Sequence, residues 1–349
     1  MSKKVYVGMS GGVDSSVTAA LLVNQGYDVT GVYMKNWSKD LPGFKCPWQQ
    51  DYQDAKRVAV KLKIPFKMYD FETEYRQKVV DYMVAEYRKG HTPNPDVMCN
   101  QEIKFGLFLQ TALSDGADMI ATGHYGRIVG GKLLMAKNLE KDQTYFLYRL
   151  SKEALSLSLM PIGDYQTKAA VREMARQFDL STAEKKDSQG ICFVGEIGIK
   201  DFLLHELGPQ AHGAIIDQFG REIGEHDGAI FYTIGQRHGL QLGGGLPYYI
   251  TSKDMPRNEI HVSTDLQDER LWNNKLVLID NHFINLPPKI NSTYAIRTRH
   301  RAKLIKGRVI EISDQSLRLD LEEEVRAVTV GQSAVVYDDE VVVGGGIIS

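Results

Sequence analysis

The chain has few cysteines, a net charge close to zero and no long apolar run, and each of these features limits what kind of protein it can be. Three cysteines in 349 residues, with no C-x-x-C spacing, exclude a disulfide framework. A net charge of −2 gives no whole-chain sign of a nucleic-acid partner, so any basic surface must be local. No apolar run approaches the roughly 20 residues that a membrane span requires, which argues against a membrane partner.

The N-terminus leaves no room for a targeting signal, because Met1–Lys4 pass directly into an apolar run. We therefore expect a cytoplasmic protein. The composition, 43% hydrophobic and 25% charged, is typical of a soluble globular protein. A length of 349 residues favours two or three domains.

The first half of the chain alternates strand-like and helix-like segments, which predicts a doubly wound parallel α/β sheet. The ligands of such sheets collect beyond the carboxyl ends of the strands. That rule brings Gly8–Ser16, Met34–Trp37 and Gly123–Tyr125 to one rim. The predicted strands are Lys4–Met9, Asp28–Met34, Phe66–Tyr69 and Met119–Thr122, and the predicted helices include Asp51–Leu62, Thr73–Lys89 and Lys104–Leu113.

From about Gly213 onward, short β-like runs alternate with glycine-rich and polar turns. We predict three domains, 1–207, 208–270 and 271–349, because Gly208–Pro209 and Asp268–Asn274 are plausible breaks. The central domain is small and β-rich. The last one has β-branched runs separated by turns, which indicates a small barrel or sandwich.

The run SGGVDSS, Ser10–Ser16, lies between a predicted strand and a predicted helix. Such a turn presents backbone N–H groups and the positive end of a helix dipole to an anion. Gly11 and Gly12 let the backbone approach that anion closely, and Ser15 and Ser16 can cap the helix or donate to phosphate. A Walker motif and a G-x-G-x-x-G fingerprint are both absent. The turn therefore predicts a phosphate site of another type.

Two of the three cysteines are candidate reactive thiols. Cys99 follows a loop stiffened by Pro93 and Pro95 and could lie at a helix N-terminus, where the dipole favours thiolate. Cys192 follows Lys185 and Lys186, whose charges suit a nucleophile. The alternative for each is a cysteine that only packs in an apolar interior.

A basic run near the C-terminus is a candidate RNA contact. Arg297, Arg299, Arg301 and Lys303 alternate, so one strand would align them on one face as a phosphate-binding stripe. The alternative is a solvated strand face. The aromatic stretch Tyr145–Tyr148 is either core or a base-stacking surface, and core is favoured for most of it. Cys46 lies in a loop before a helix and receives no catalytic role.

Several long motifs together resemble one family. SGGVDSS resembles the pyrophosphate loop of the N-type ATP pyrophosphatases, which cleave ATP between the α- and β-phosphates. The whole chain resembles the tRNA-specific 2-thiouridylase family within that superfamily. The motifs that carry this resemblance are GMSGGVDSS, MKNW, TPNPDVMCNQEIKF, ATGHY, KDQTYFLY, KKDSQGICF, TIGQRHGL and GQSAVVY.

The family implies an adenine nucleotide α-hydrolase-like N-terminal domain, a small central domain and a C-terminal β-barrel. It also implies ATP-dependent replacement of the C2 oxygen of the wobble uridine in a tRNA anticodon by sulfur, with release of AMP and pyrophosphate. By motif, Cys99 would be the nucleophile and Cys192 the persulfide carrier. The implied ATP-binding residues are Gly8, Met9, Ser10, Gly11, Gly12, Val13, Asp14, Ser15, Met34 and Gly123.

The resemblance also implies contacts to RNA. Asn94, Pro95 and Asp96 would contact the target base, and the further tRNA contacts would be His124, Lys141, Asp142, Gln143, Arg299, His300 and Gln332. The family usually has Arg-Tyr where this chain has Arg299–His300. Imidazole can still stack or donate to phosphate.

Two partners and a metal complete the expectation. Mg²⁺ would arrive with ATP, and Asp14 could supply a carboxylate ligand, with no dedicated metal site. An upstream persulfide donor protein, a cysteine desulfurase or a relay, would supply sulfur. The alternatives are a pyrophosphate-loop ligase that forms amides and a non-catalytic protein that binds ATP and RNA, in which both cysteines merely pack.

Overall fold

Five parallel strands form the sheet of the N-terminal part, in the order β3-β2-β1-β4-β7. The structure is a computed structural model that describes residues 2–41, 43, 45–186, 198–240, 242–243, 245 and 247–349. The first seven strands are β1 (Lys4–Gly8), β2 (Asp28–Lys35), β3 (Phe66–Asp70), β4 (Met119–Thr122), β5 (Arg127–Val129), β6 (Lys132–Leu134) and β7 (Ser158–Leu159).

Helices cover both faces of this sheet. Neighbouring strand residues therefore pack into two different cores. In β1, Tyr6 belongs to one core, while Val5 and Val7 belong to the other. The doubly wound prediction is confirmed. The helices are α1 (Val13–Asn24), α2 (Trp48–Leu62), α3 (Glu72–Tyr75), α4 (Asp81–Arg88), α5 (Pro95–Met98), α6 (Phe108–Ser114), α7 (Lys152–Ser156), α8 (Lys168–Gln177) and α9 (Ile199–Leu207).

Two long helices on one face have π-helical middles. The segment Arg76–Val80 joins α3 to α4, and the segment Cys99–Leu107 joins α5 to α6. The second helix therefore begins at Pro95, although the sequence predicts a start at Lys104. Asn94 explains the earlier start, because its Oδ1 accepts hydrogen bonds from the N–H groups of Asp96 and Val97. Proline is well suited to the first helical position that follows such a cap.

The rest of the chain is β-rich, as predicted. A four-stranded sheet has the order β10-β11-β8-β9. Six antiparallel strands, β12-β15-β14-β13-β16-β17, form a barrel that β12 and β17 close. These strands are β8 (Gly213–Ile216), β9 (Glu222–His226), β10 (Tyr249–Asp254), β11 (Glu259–Ser263), β12 (Trp272–Phe283), β13 (Thr293–Arg297), β14 (Ile305–Ile312), β15 (Ser316–Arg326), β16 (Ser333–Asp338) and β17 (Val341–Ile348).

The barrel is attached to the N-terminal part by a hairpin and a loop. Strand β6 of the β5–β6 hairpin pairs with β17, in the register Val341 to Leu134. Arg127 of the hairpin is ion-paired with Glu340 of the barrel. In the loop before α5, the Thr92 N–H donates to the Val330 carbonyl at 2.9 Å. The barrel thus touches the chain just before the Cys99 helix.

The prediction that one strand aligns the basic residues Arg297, Arg299, Arg301 and Lys303 on one face is wrong. Strand β13 ends at Arg297, and the next residues form a turn in which Arg301 has φ of +62°. Arg297 is buried, whereas Arg299 and Arg301 are exposed. Arg297, one of the predicted cations, is therefore buried at the interface between the barrel and the N-terminal part. Within the part of the chain that is described, no helix is both long and apolar enough to cross a bilayer.

Candidate active site

The phosphate turn lies between β1 and α1. Gly11 has φ of +76°, a left-handed conformation that glycine adopts without strain, and Gly12 is the N-cap of α1. The Ser15 and Ser16 hydroxyls donate to the Gly12 carbonyl at 3.2 and 2.8 Å. Both hydroxyls thus form hydrogen bonds inside the turn itself. The first turn of α1 is left to present its backbone N–H groups and its dipole to an anion.

The other predicted ATP residues lie around this turn. A Cβ added at Gly8 would lie 2.9 Å from Cε of Met34, and one at Gly123 would lie 2.7 Å from the nitrogen of Ser15. The ends of β1, β2 and β4 therefore meet at one rim, as the sequence predicts. Met9 and Val13 are buried in the core, and the Met9 N–H donates to the Val32 carbonyl at 2.8 Å, so their side chains do not face a ligand.

Asp14 carries the only carboxylate of the SGGVDSS run and has two partners in the structure. Nζ of Lys168 lies 2.8 and 2.7 Å from its two carboxylate oxygens. The Tyr125 hydroxyl donates to the same carboxylate at 3.0 Å. Lys168 begins α8, and Tyr125 follows the Gly123–His124 pair at the end of β4. Asp14 is thus held by a cation and a hydroxyl from two other elements.

Cys99 lies on the helix that begins at Pro95, in its second turn. It is 2% exposed and opens the π-helical segment. Such segments are rare and are frequent at functional sites, since they displace a side chain from its α-helical position. The neighbouring residue Asn100 donates from Nδ2 to the Phe146 carbonyl at 3.1 Å. The thiol is therefore buried, and it lies past the helix N-terminus that the sequence predicts for it.

His124 connects the rim to the Cys99 helix. Its Nε2 lies 3.5 Å from Nζ of Lys104, on the helix, and its Nδ1 is 2.9 Å from the Thr122 hydroxyl. Burial lowers the pKa of His124 well below its usual 6.5, and the charge of Lys104 adds to that shift. Burial raises the pKa of Asp96, against the opposing charge of Lys104. The Cys99 helix and the phosphate turn thus share one boundary, formed by the Gly123–His124 pair.

Cys192 lies outside the described residues, and Lys185, seven residues before it, is held by several contacts. Lys185 donates from Nζ to Asp51 at 2.8 Å and to Asp54 at 2.7 Å, both on α2. Arg172 of α8 donates to the Lys185 carbonyl at 2.8 Å. A Cβ at Gly11 would lie 2.4 Å from the Asp51 carbonyl oxygen, so α2 packs directly against the phosphate turn. The charge of Lys185 is therefore paired with two carboxylates of α2.

The predicted tRNA residues of KDQTYFLY are half-buried or buried. Lys141 is half-buried. Asp142 is fully buried and forms an ion pair with Arg297 of the barrel at 2.7 Å. The Oε1 of Gln143 accepts from the Tyr125 N–H at 2.9 Å. Asp142 therefore contacts the barrel and Gln143 contacts the rim, and both contacts are within the chain.

The aromatic stretch is core, as favoured by the sequence. The Tyr145 and Tyr148 rings are buried, and both hydroxyls bond Ser333 of the barrel, at 2.9 and 3.2 Å. The His300 ring lies 4.5 Å from the ring of Phe146, whose carbonyl bonds the Cys99 helix. Gln332 donates from Nε2 to the Thr92 carbonyl at 2.8 Å. The barrel residues His300 and Gln332 thus lie next to both ends of the Asn94–Cys99 segment.

Three side chains at the site were not found by sequence reasoning: Lys104, Lys168 and the α2 carboxylate of Asp51. Each comes from a helix whose position depends on tertiary packing. Lys104 lies within the motif TPNPDVMCNQEIKF but is given no role by sequence, and the other two lie outside the recognised motifs. One local signal was present for Lys168. A lysine at the first position of a helix opposes the helix dipole, and such local conflicts concentrate at functional sites.

Comparisons with known proteins agree with this organisation. Three family models match in succession: a tRNA methyl transferase HUP domain over residues 3–196, a tRNA methyl transferase PRC-barrel domain over 200–264 and an aminomethyltransferase beta-barrel domain over 273–348. They correspond to the parallel sheet, the four-stranded sheet and the closed barrel.

Full-length relatives identify the family. The chain is 45% identical to the tRNA-specific 2-thiouridylase MnmA of Staphylococcus epidermidis over 99% of this chain and 95% of that protein. It is 45% identical to the protein of that name from Bacillus subtilis and 46% identical to that from Bacillus velezensis, over 99% of this chain and 94% of each. The chain belongs to the tRNA-specific 2-thiouridylase family, whose members are tRNA sulfurtransferases.

Proposed function

We propose that this protein uses ATP to replace the C2 oxygen of the wobble uridine of tRNA by sulfur. The observation that carries the proposal is the shared boundary at Gly123–His124. Gly123 packs against the phosphate turn, and His124 reaches Lys104 on the helix that bears Cys99. A nucleotide on the turn and a base beside Cys99 would therefore be neighbours.

The first step is activation of the base. Because the C2 oxygen of uracil is a poor leaving group, it must first be activated. It attacks the α-phosphate of ATP, which releases pyrophosphate and leaves an adenylated base. The first turn of α1 stabilises the phosphate charge with N–H groups and its dipole. Mg²⁺ would arrive with ATP, and Asp14, a hard oxygen donor at the turn, would hold it and help to neutralise the phosphates.

The second step is sulfur transfer from a persulfide on Cys192, loaded by an upstream cysteine desulfurase or relay protein. In one branch, the Cys99 thiolate attacks the persulfide, which forms a Cys99–Cys192 disulfide and releases sulfide that displaces AMP. In the other, the terminal sulfur attacks C2 and displaces AMP, and Cys99 then forms the same disulfide as thiouridine leaves. Both branches balance, and both require a thiol reductant to restore the two cysteines.

The RNA contacts remain predictions and differ in how directly they can act. Asn94, Pro95 and Asp96 lie at the start of the Cys99 helix and would position the base there. Arg299 is exposed and suits phosphate contact, and His300 suits stacking. The target is a single-stranded loop, since the base must leave its stack to reach a buried thiol. The domain limits 1–207, 208–270 and 271–349 and a cytoplasmic location also remain predictions.

Cysteine variants test the proposal, with Cys46 as the matched control. We expect Cys99→Ser and Cys192→Ser each to abolish 2-thiouridine formation while tRNA binding and tRNA-dependent pyrophosphate release in a single turnover persist. Cys46→Ser should leave all three unchanged, because Cys46 lies in the loop before α2 and its Sγ contacts the Trp37 carbonyl. Normal thiolation by either of the first two variants would exclude that thiol from the reaction. Release of AMP triggered by a small acid without tRNA would favour an amide-forming ligase instead.

A further inference from the structure

The contact between Lys168 and Asp14 assigns a role to a lysine outside every recognised motif. Nζ of Lys168 bonds both carboxylate oxygens of Asp14, at 2.8 and 2.7 Å. The lysine side chain is 15% exposed and the aspartate side chain 29% exposed, so the pair borders the space in front of the turn. Lys168 thus lies within reach of whatever binds the first turn of α1.

The position of Lys168 on its own helix is unfavourable without an anion. It is the first residue of α8, after Thr167, whose hydroxyl caps the helix by accepting from the Ala170 N–H at 3.1 Å. A cation there faces the positive end of the α8 dipole. Val171 of α8 and Val13 of α1 belong to one core, and the Lys168–Asp14 contact joins the first turns of these two helices. The Asp14 carboxylate supplies a countercharge at this position.

We propose that Lys168 is a pyrophosphate-binding residue, held at the turn by Asp14 until ATP enters and then bound to the β- and γ-phosphate oxygens. This inference rests on the proposed use of ATP. The ammonium group would neutralise the charge that develops on pyrophosphate as the bond to the α-phosphate breaks. Its departure from Asp14 would also free that carboxylate. The Tyr125 hydroxyl, 3.0 Å from Asp14, keeps the carboxylate in place during the exchange.

A simpler explanation is that Lys168 only shields Asp14. In that case, removing the lysine would weaken ATP binding indirectly, because an uncompensated carboxylate would repel the phosphates. The two explanations differ once Asp14 carries no charge. A shielding lysine is then dispensable, whereas a lysine that binds phosphate is still needed.

The test compares Asp14→Asn with the double variant Asp14→Asn/Lys168→Met. Binding of ATP and of inorganic pyrophosphate is measured by titration calorimetry without tRNA. We expect the double variant to bind both about ten- to a hundredfold more weakly than Asp14→Asn, the usual effect of losing a charge-assisted hydrogen bond. Equal affinities of the two variants for both ligands would overturn the proposal. Lys168→Arg in the wild-type background should retain much of the affinity, because it keeps a cation on a long side chain.

Two controls separate binding from folding. Lys61→Met removes a lysine from an exposed ion pair with Asp179 and should leave ATP affinity unchanged. If Lys168→Met impairs folding, Lys168→Gln replaces it in the same comparison. A wild-type chain that binds pyrophosphate but never thiolates tRNA would refute the proposed function and not the role of Lys168. A thiolating enzyme whose ATP affinity is insensitive to Lys168 would refute this inference alone.

Discussion

Replacing Asp142 by alanine should destabilise the junction between the barrel and the N-terminal part. The Asp142 side chain has no exposed surface, and its partner Arg297 is 7% exposed. The same carboxylate accepts from the Ala136 N–H at 3.0 Å and from the Thr144 hydroxyl at 2.8 Å. Asp142→Ala would leave a buried guanidinium without its countercharge, which typically reduces the free energy of unfolding by about 3–5 kcal/mol.

Urea unfolding monitored by tryptophan fluorescence measures this change. The matched control is Glu323→Gln, which breaks the exposed Lys303–Glu323 pair of the same barrel and should change the free energy of unfolding by less than about 1 kcal/mol. Asp142→Leu/Arg297→Met should recover most of the loss, since apolar residues of similar volume often replace a buried ion pair without penalty.

The opposite result would refute this reasoning. If Asp142→Ala unfolds like the wild type but binds tRNA poorly, the carboxylate contacts RNA directly, as the family resemblance implies. If it unfolds early and the double variant restores both stability and tRNA binding, the role of Asp142 is to position the barrel.

Three further predictions concern the rim. Gly123→Ala should lower the free energy of unfolding by about 1–3 kcal/mol, the usual effect of overpacking, and weaken ATP binding, because the new Cβ would overlap the first turn of α1; Gly243→Ala, in open space, is the control for urea unfolding and calorimetry. The lowered pKa of His124 means that the unfolded chain binds a proton that the folded chain refuses, so stability should fall as pH drops below 6.5, by up to about 2 kcal/mol at pH 5. Urea titrations should show a shallower pH dependence in His124→Gln, and an equal slope would contradict the prediction. Lys185→Met should slow thiolation but not pyrophosphate release, since it removes the Lys185–Asp51 contact seven residues before Cys192; equal slowing of both would contradict it.

The sequence was informative where local pattern and function coincide. The strand, glycine turn and helix from Lys4 to Asn24 follow from a buried apolar run, two glycines and an apolar helical pattern, and the parallel-sheet rule placed Gly123 beside that turn. The ends of the helices were harder to predict from the sequence. The helix start at Pro95 depends on an Asn94 cap, and the residues around that cap are equally typical of a loop.

The contacts between domains could not be predicted from the sequence. The alternation of Arg297, Arg299 and Arg301 fits a strand face, but β13 ends at Arg297, where that side chain is bonded to Asp142 from far away in the chain. The pairing of Lys168 with Asp14 likewise depends on how α8 packs against α1. Charge and periodicity indicate that these residues are polar, and only the tertiary structure shows which of them pair with each other.

The most direct test of the central claim is nucleoside mass spectrometry of tRNA after incubation with the purified protein, a persulfide donor and ATP. The account predicts 2-thiouridine at the wobble position only when both ATP and donor are present, with one AMP released for each sulfur incorporated. Formation of 2-thiouridine without ATP, or bound tRNA that stays unmodified with every component present, would contradict it.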